Sequence, residues 1–393
     1  MEMEERHTNP NSHKRLTRDP LVSWSDLPLD LLTLVFKRLS FPDFQRAKSV
    51  CWSWLSSSRQ SVPKNSIPWL VLFPEDNNKS SSCTLFNPEE TDKLYRTQDL
   101  GLEFAKRVCM ATYGSWFLMR DPHYNLSIVN IFTHERINLP PVELQTGMIK
   151  IERTVDDGFR VTSPNGFGRV FKCISIRSPV FWIDEKTKDY IVLWRLLACR
   201  VFYSRKGHTS WKQIPESSDC RDMFYKDHKL YLLTFSYFFQ IFDFSSGIPQ
   251  LTFNCGVIGE GFHLTQGVVV ATKLVVTVVT GQVLKVEKIH RMSSTTLSFR
   301  VFKIVSSGLL KKQEVVSSIG DETLLFDQGI TVLANDADGF IRNSIYFSCS
   351  NGNTNDILLF NLKTQKTEPL PKFDRSSVHF SRARWFLPSF TQT

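Results

Sequence analysis

The sequence predicts an α+β multidomain chain: a small N-terminal helical unit followed by a large all-β, propeller-like domain. Three observations carry this expectation. From Trp24 onward, Leu27, Leu31, Leu32, Val35, Phe36 and Leu39 recur at helical spacings, which reads as one stripe buried against something. From about Ile67 the texture changes to short apolar or alternating runs broken by Asn, Asp, Gly, Ser and Pro, as in Trp69 to Phe73, Trp116 to Met119, Ser127 to Phe132, Leu230 to Phe235, Gln240 to Phe244 and Ile357 to Leu362. These β-like runs also carry an irregular echo. Asn130 is followed by Thr133, Leu139 and Pro140, and Asn361 is followed at the same offsets by Thr364, Leu370 and Pro371.

Taken in order, residues 1–20 are polar and lack an apolar period, so they are expected to form a disordered tail. Lys14, Arg15 and Arg18 are too few to make a convincing nuclear-import signal. Residues 21–65 form the helical unit. Pro28 suits the first turn of its opening helix, and Asp26 and Asp30 suit the positive end of that helix's dipole. Phe41-Pro42-Asp43 reads as a break and a new N-cap, followed by the apolar set Phe44, Ala47, Val50, Cys51, Trp54 and Leu55. Ser56 to Ser58 and Pro63 are expected to close the unit. About 40 residues make a marginal core, which argues for docking against a partner or a neighbouring domain.

Residues 66–393 are the β domain, with one ambiguous stretch near Gly101 to Cys109. In the echo, each Asn is expected to bond backbone two residues on, turning one strand into the next. Weaker copies begin at Asn87 and Asp243, and Asn87 lies 43 residues before Asn130, close to the length of one four-stranded blade. The other intervals are irregular, so blade number is not legible.

Composition narrows the function classes. The net charge of +9 comes from 48 basic and 39 acidic residues spread along the chain, a pattern of solvated surface rather than nucleic-acid binding that leaves an acidic partner surface open. The eight cysteines are dispersed, with no CxxC, and read as reduced, mostly buried structural thiols. HExxH, HxH and GxSxG are also absent, so no metal, cofactor or catalytic nucleophile is expected. Gly256 to Gly261 lacks both the GxGxxG spacing and the P-loop Lys, and reads as a turn between strands. The acidic start has no apolar h-region, and the apolar run Val268 to Thr280 is too short to span a bilayer, so no membrane association is expected. The nine Trp and 31 Phe belong mostly to the core of an all-β protein of this size.

The ordered string Leu27-Pro28-Leu29-Asp30-Leu31-Leu32, Val35-Phe36, Leu39, Asp43-Phe44, Val50-Cys51 and Trp54 resembles the F-box of plant F-box proteins along its full length. Phe44 stands where that family commonly has Leu, and Trp52 where a basic residue is common; both keep or increase apolar character. Residues 66 to 390 resemble the C-terminal β-propeller domain of a large plant F-box family, most closely at Phe299 to Lys303, Ser318 to Asp321, Leu324 to Phe326, Ser344 to Phe347 and Asn361 to Pro371.

The resemblance implies docking on a Skp-type adaptor, and through it on a cullin-RING core, by Leu27, Pro28, Leu31, Leu32, Val35, Phe36, Leu39, Phe44, Val50 and Trp54. Leu27, Pro28, Leu31, Leu32, Phe36 and Leu39 would be the energetic anchors, with Trp54 packing the helices together. The implied function is the non-catalytic substrate-recognition subunit of an SCF ubiquitin ligase in nucleus or cytoplasm, with an unknown target protein and catalysis by proximity alone. Two rivals are a propeller scaffold that sequesters its partner without ubiquitination, and a propeller hydrolase with carboxylates at the central channel.

Overall fold

The computed structural model describes residues 23–39, 41–58, 67–74, 81–91, 93–196, 200–215, 217, 219–259, 267–291, 297–307, 310–334, 340–351, 354–370, 373 and 380–388. The expected tail, with Lys14, Arg15 and Arg18, lies outside the described residues, as do Pro63, Cys199, Glu260, Gly261 and Pro371. One unit holds the three N-terminal helices, and a second compact unit spans Ile67–Ser389.

The helical unit opens with a 3₁₀ turn, Trp24–Asp26, followed by α1 (Leu29–Phe36), α2 (Phe41–Lys48) and α3 (Trp52–Ser58). Local details differ from the sequence expectation. Pro28 is the N-cap of α1 rather than a first-turn residue, and its carbonyl accepts the first helical bond from the Leu32 N–H at 3.0 Å. Asp26 completes a capping box with Ser23 on the 3₁₀ turn instead of serving α1. α2 begins at Phe41, so Pro42 falls in the first turn, where a missing N–H costs no helical bond, and Asp43 pairs with Arg46 at 2.8 Å. Ser56 to Ser58 continue α3 rather than ending it; the Ser57 and Ser58 hydroxyls donate to the carbonyls of Ser53 and Leu55 at 2.7 Å each.

The second unit is a ring of antiparallel sheets. Among the described residues the strands group into six blades. Blade one runs Arg382–Phe386, Trp69–Phe73, Thr84–Phe86, Leu94–Arg96. Blade two is the meander Val108–Tyr113, Trp116–Arg120, Leu126–Asn130, Arg136–Asn138. Blade three contains Ile176–Ile183, Tyr190–Leu196, Arg200–Arg205 and Trp211–Gln213. Between blades two and three the chain makes an excursion: Gln145–Thr146 adds in parallel to the edge of blade three, then Lys150–Arg153, Phe159–Thr162 and Gly168–Phe171 form a small separate sheet. The ambiguous stretch resolves into one helical turn, Leu102–Ala105, leading into the first strand of blade two.

Blade four is Cys220–Lys226, Lys229–Thr234, Phe238–Asp243, Gln250–Gly259. The Gly256 to Gly259 segment thus lies inside a strand rather than forming a turn. Blade five is Gly267–Val276, Val283–Arg291, Leu297–Ser307, Leu310–Val316. Blade six comprises Ile330–Leu333, Glu322–Leu325, Ser344–Asn351, Thr354–Asn361 and Lys366–Pro369. Two parallel pairings, Val257 to Gly259 with Lys311 to Gln313 and Val276 with Ile330, join the last three blades into one continuous sheet of 13 strands.

The echo is a physical repeat. Asn130 Oδ1 accepts from the Phe132 and Thr133 N–H groups at 2.9 and 3.1 Å, and Asn361 Oδ1 from Lys363 and Thr364 at 2.9 and 3.0 Å. Asn87 and Asp243 make the same turn to Glu89 and Ser245. Leu139 N–H donates to Leu126 and Leu370 N–H to Ile357, both at 3.0 Å, so the register after the turn also repeats. A further copy at Asp184, bonded to Lys186 and Thr187, connects the first two strands of blade three.

The ring closes where the two ends of the β unit pair, Trp69 with Phe386 through Phe73 with Arg382. Blade one is thereby completed by strands from both ends of the β unit, which ties the last blade to the first. The Thr112 hydroxyl of blade two donates to the Trp385 carbonyl at 3.0 Å, and the Gln328 amide, in the first turn of blade six, donates to both Thr112 and Trp385. Between blades four and five, the buried Asp222 carboxylate accepts from the Leu274 N–H at 2.8 Å and faces Lys273 at 3.5 Å.

Trp116, Trp194, Trp211 and Trp385 are fully buried in the layers between blades. Of the cysteines, Cys83, Cys109 and Cys220 are buried, and burial pushes the Cys109 thiol up to about 11. Cys51, Cys255 and Cys349 are only half-buried and Cys173 is exposed, so the expectation of mostly buried thiols holds for fewer than half of those described.

Candidate docking surface of the helical unit

α1 reads LDLLTLVF, six apolar residues in eight. That is more than a single core-facing stripe needs on a short surface helix. At about 100° per residue, Leu32 and Phe36 point one way, while Leu31, Leu34 and Val35 share the adjoining arc. The core takes the first direction. Leu32, Phe36, Phe44 and Ala47 are buried against one another, with Leu27, Leu39 and Trp54 packed around them. Phe36 meets Phe44 edge-on at 5.1 Å and Trp54 at 5.7 Å, the geometry that aromatic quadrupoles favour. Trp54 also ties α3 to the start of the unit, since its Nε1–H donates to the Trp24 carbonyl at 2.9 Å. The Ser53 hydroxyl donates to the Ser25 carbonyl at 3.0 Å. Lys48 lies over the Phe44 ring at 5.0 Å, and burial of its ammonium lowers its pKa.

The second arc faces outward. Leu31 is 48% exposed and Leu34 51% exposed, with Val35 half-buried beside them and Pro28 exposed at the helix start. Leu29, Val50, Trp24 and Trp52 add further exposed apolar surface on the same unit.

The structure therefore divides the ten expected contact residues. Leu32, Phe36 and Phe44 are 0–1% exposed in the unit's own core, so they cannot touch a partner without unpacking the helices. Leu32 and Phe36, expected as anchors, and Phe44, expected as a contact, pack here beneath the surface they support. Leu27, Leu39 and Trp54 occupy the rim between core and solvent, while Pro28, Leu31, Val35 and Val50 remain accessible. Sequence reasoning passed over Leu34 and Leu29. The signal that could have found them is the excess of leucine in α1 over what one buried stripe can use.

The chain thus joins a small helical unit with an exposed apolar arc to a propeller of β-sheets. The F-box domain family model matches residues 24–65, and the KIB1-4 beta-propeller family model matches residues 85–361. Relatives in Arabidopsis thaliana match over nearly the whole of both chains. Probable F-box protein At4g22165 is 55% identical over 100% of both chains, and probable F-box protein At4g22060 is 44% identical over 94% of this chain and 96% of its own. F-box protein At1g69090 is 40% identical over 93% of this chain and 92% of its own. The chain belongs to the plant F-box proteins that carry a KIB1-4 β-propeller.

Proposed function

We propose that this chain is the substrate receptor of an SCF-type ubiquitin ligase. Its helical unit docks a Skp-type adaptor, and through it a cullin-RING core, by the arc of Pro28, Leu31, Leu34 and Val35, with Leu27, Leu39 and Val50 at its margins. The propeller binds a target protein, which is ubiquitinated and degraded in the nucleus or cytoplasm. The chain itself makes and breaks no bonds. It raises the effective concentration of target lysines near the charged conjugating enzyme.

The observation that carries this reading is an apolar arc left at the surface of a unit whose core is already filled. Exposed leucines that the fold does not need are best explained by a partner that covers them. The test is a pull-down of purified Skp-type adaptor by the full chain. Leu31→Ala with Leu34→Ala should weaken binding by about 2 kcal/mol or more, roughly thirtyfold in Kd, with the thermal melt unchanged. Phe36→Ala should also reduce binding, but by destabilising the unit by about 3–5 kcal/mol, visible as rapid proteolysis within residues 23–58. Adaptor binding that survives both the double variant and Leu31→Asp, which puts a carboxylate into the arc, would remove the basis for the docking surface.

A further inference from the structure

Blades four and five meet across a buried layer of Leu233, Phe239, Leu274 and Ile304. At this junction cations and rings alternate. Arg221, on the first strand of blade four, lies 5.6 Å from the Phe235 ring and 5.7 Å from the Tyr237 ring, and donates to the Tyr237 hydroxyl at 3.4 Å. Lys285 of blade five stands 5.7 Å from Tyr237 and 4.3 Å from Phe302, and Arg300 stands 5.5 Å from Phe302. Arg195 of blade three approaches the same Phe235 ring at 5.7 Å. The pairing is built into the sheet, because Lys285 sits directly across from Phe302 and Glu287 across from Arg300.

The charges do not balance. Glu287 is buried and shared between Lys285 at 2.9 Å and Arg300 at 2.8 Å. Asp219, at the base of the Phe235 turn, accepts from the Ser236 backbone at 2.9 Å and from its hydroxyl. Among the described residues Arg221 forms no ion pair. Asp222, next to Arg221, faces Lys273, so Arg221, Lys285 and Arg300 are set against Glu287 and Asp219 and the cluster keeps a positive excess. Burial first, and Arg221 and Arg300 after it, lower the pKa of Lys285 against the pull of Glu287. Phe235 borders the cluster at 42% exposed.

We propose that this cation–aromatic ladder is a target-recognition site for an acidic peptide segment, whose Asp or Glu carboxylates engage Arg221 and the exposed edge of Arg300. Guanidinium groups supply the paired donors that carboxylates fit, and their stacking on rings holds them ready at little entropic cost. A nucleic acid is the poorer occupant. Stacked bases need free ring faces, and here the rings carry cations.

The inference names the target class for the receptor reading and rests on it. The test is a fluorescence-anisotropy titration of the full chain with a labelled peptide of alternating Glu and Gly. Binding should weaken with salt, fall about tenfold in Arg221→Gln, recover in Arg221→Lys, and stay unchanged in Arg160→Gln on the separate small sheet. Phe235→Ala, in an exposed turn, should lower affinity in the same direction and provides the reading if Arg221→Gln melts early. The proposal is overturned if the wild type does not bind the peptide, if Arg221→Gln and Phe235→Ala bind as the wild type does, or if a single-stranded oligonucleotide binds more tightly. No adaptor enters this titration. A chain that takes the peptide but not the adaptor keeps the site and loses the ligase reading; one that takes only the adaptor does the reverse.

Discussion

At the scale of single residues, burial sets chemistry that no motif announces. Tyr346 is fully buried between Phe340 at 5.0 Å and Trp385 at 5.7 Å, and its hydroxyl oxygen accepts from the Ile341 N–H at 3.0 Å. Burial, only partly offset by that bond, pushes its pKa up to about 12. An unfolded tyrosine titrates near 10. The folded state thus disfavours the phenolate: the contribution is fully present below about pH 10 and is lost as pH rises toward 12, amounting to about 3 kcal/mol. Urea denaturation at stepped pH should show stability falling over that window, and Tyr346→Phe should have a shallower slope there while losing the Ile341 bond at all pH values. The sequence marks Tyr346 as part of a strand, but whether a tyrosine hydroxyl ends inside or outside is decided by the neighbouring blade.

At the scale of elements, the joints between blades combine apolar layers with a few buried polar latches. Asp222 is one, its carboxylate bonded to the Leu274 N–H of the next blade. Asp222→Ala should leave that donor buried and unpaired and cost about 2–3 kcal/mol, whereas Asp222→Asn, which keeps an acceptor, should cost less; equilibrium denaturation separates the two. The Asx turns show which element-scale features a sequence can expose. An Asn side chain bonding backbone two and three residues ahead is local, so the equivalence of Asn130 and Asn361 is legible in the chain's own residue order. The latch at Asp222 joins residues 52 apart and has no local trace. α1 lies between these cases. Its leucines declare a helix, but only packing against Phe44 and Trp54 decides that Leu32 and Phe36 turn inward while Leu31 and Leu34 stay outside.

At the scale of the whole molecule, the β unit is a ring held shut by its own ends. Removing the chain from Arg382 onward deletes the strand paired with Trp69–Phe73 and takes Trp385 from the layer containing Leu70, Leu72, Phe340 and Tyr346. Calorimetry should then show a broad, early transition in place of one cooperative melt, because opening the ring exposes an edge strand together with its apolar face. An unchanged melt would mean that closure contributes little to stability. The consequence reaches the proposed recognition site, since residues drawn from separate blades need the ring to keep them in register.

The sequence by itself determined the division into a helical unit and a β domain, the strands of the main runs, the repeated Asx turns and the resemblance that predicts adaptor docking. These follow from periodicity and turn chemistry, which act over a few residues. The tertiary structure alone decided the number of blades, the closing pair between Trp69–Phe73 and Arg382–Phe386, the inward and outward arcs of α1, and the cation–aromatic ladder that brings Arg221 toward Lys285 and Arg300. Each of these depends on contacts between residues distant along the chain, where side-chain direction and burial are set by which sheets pack together.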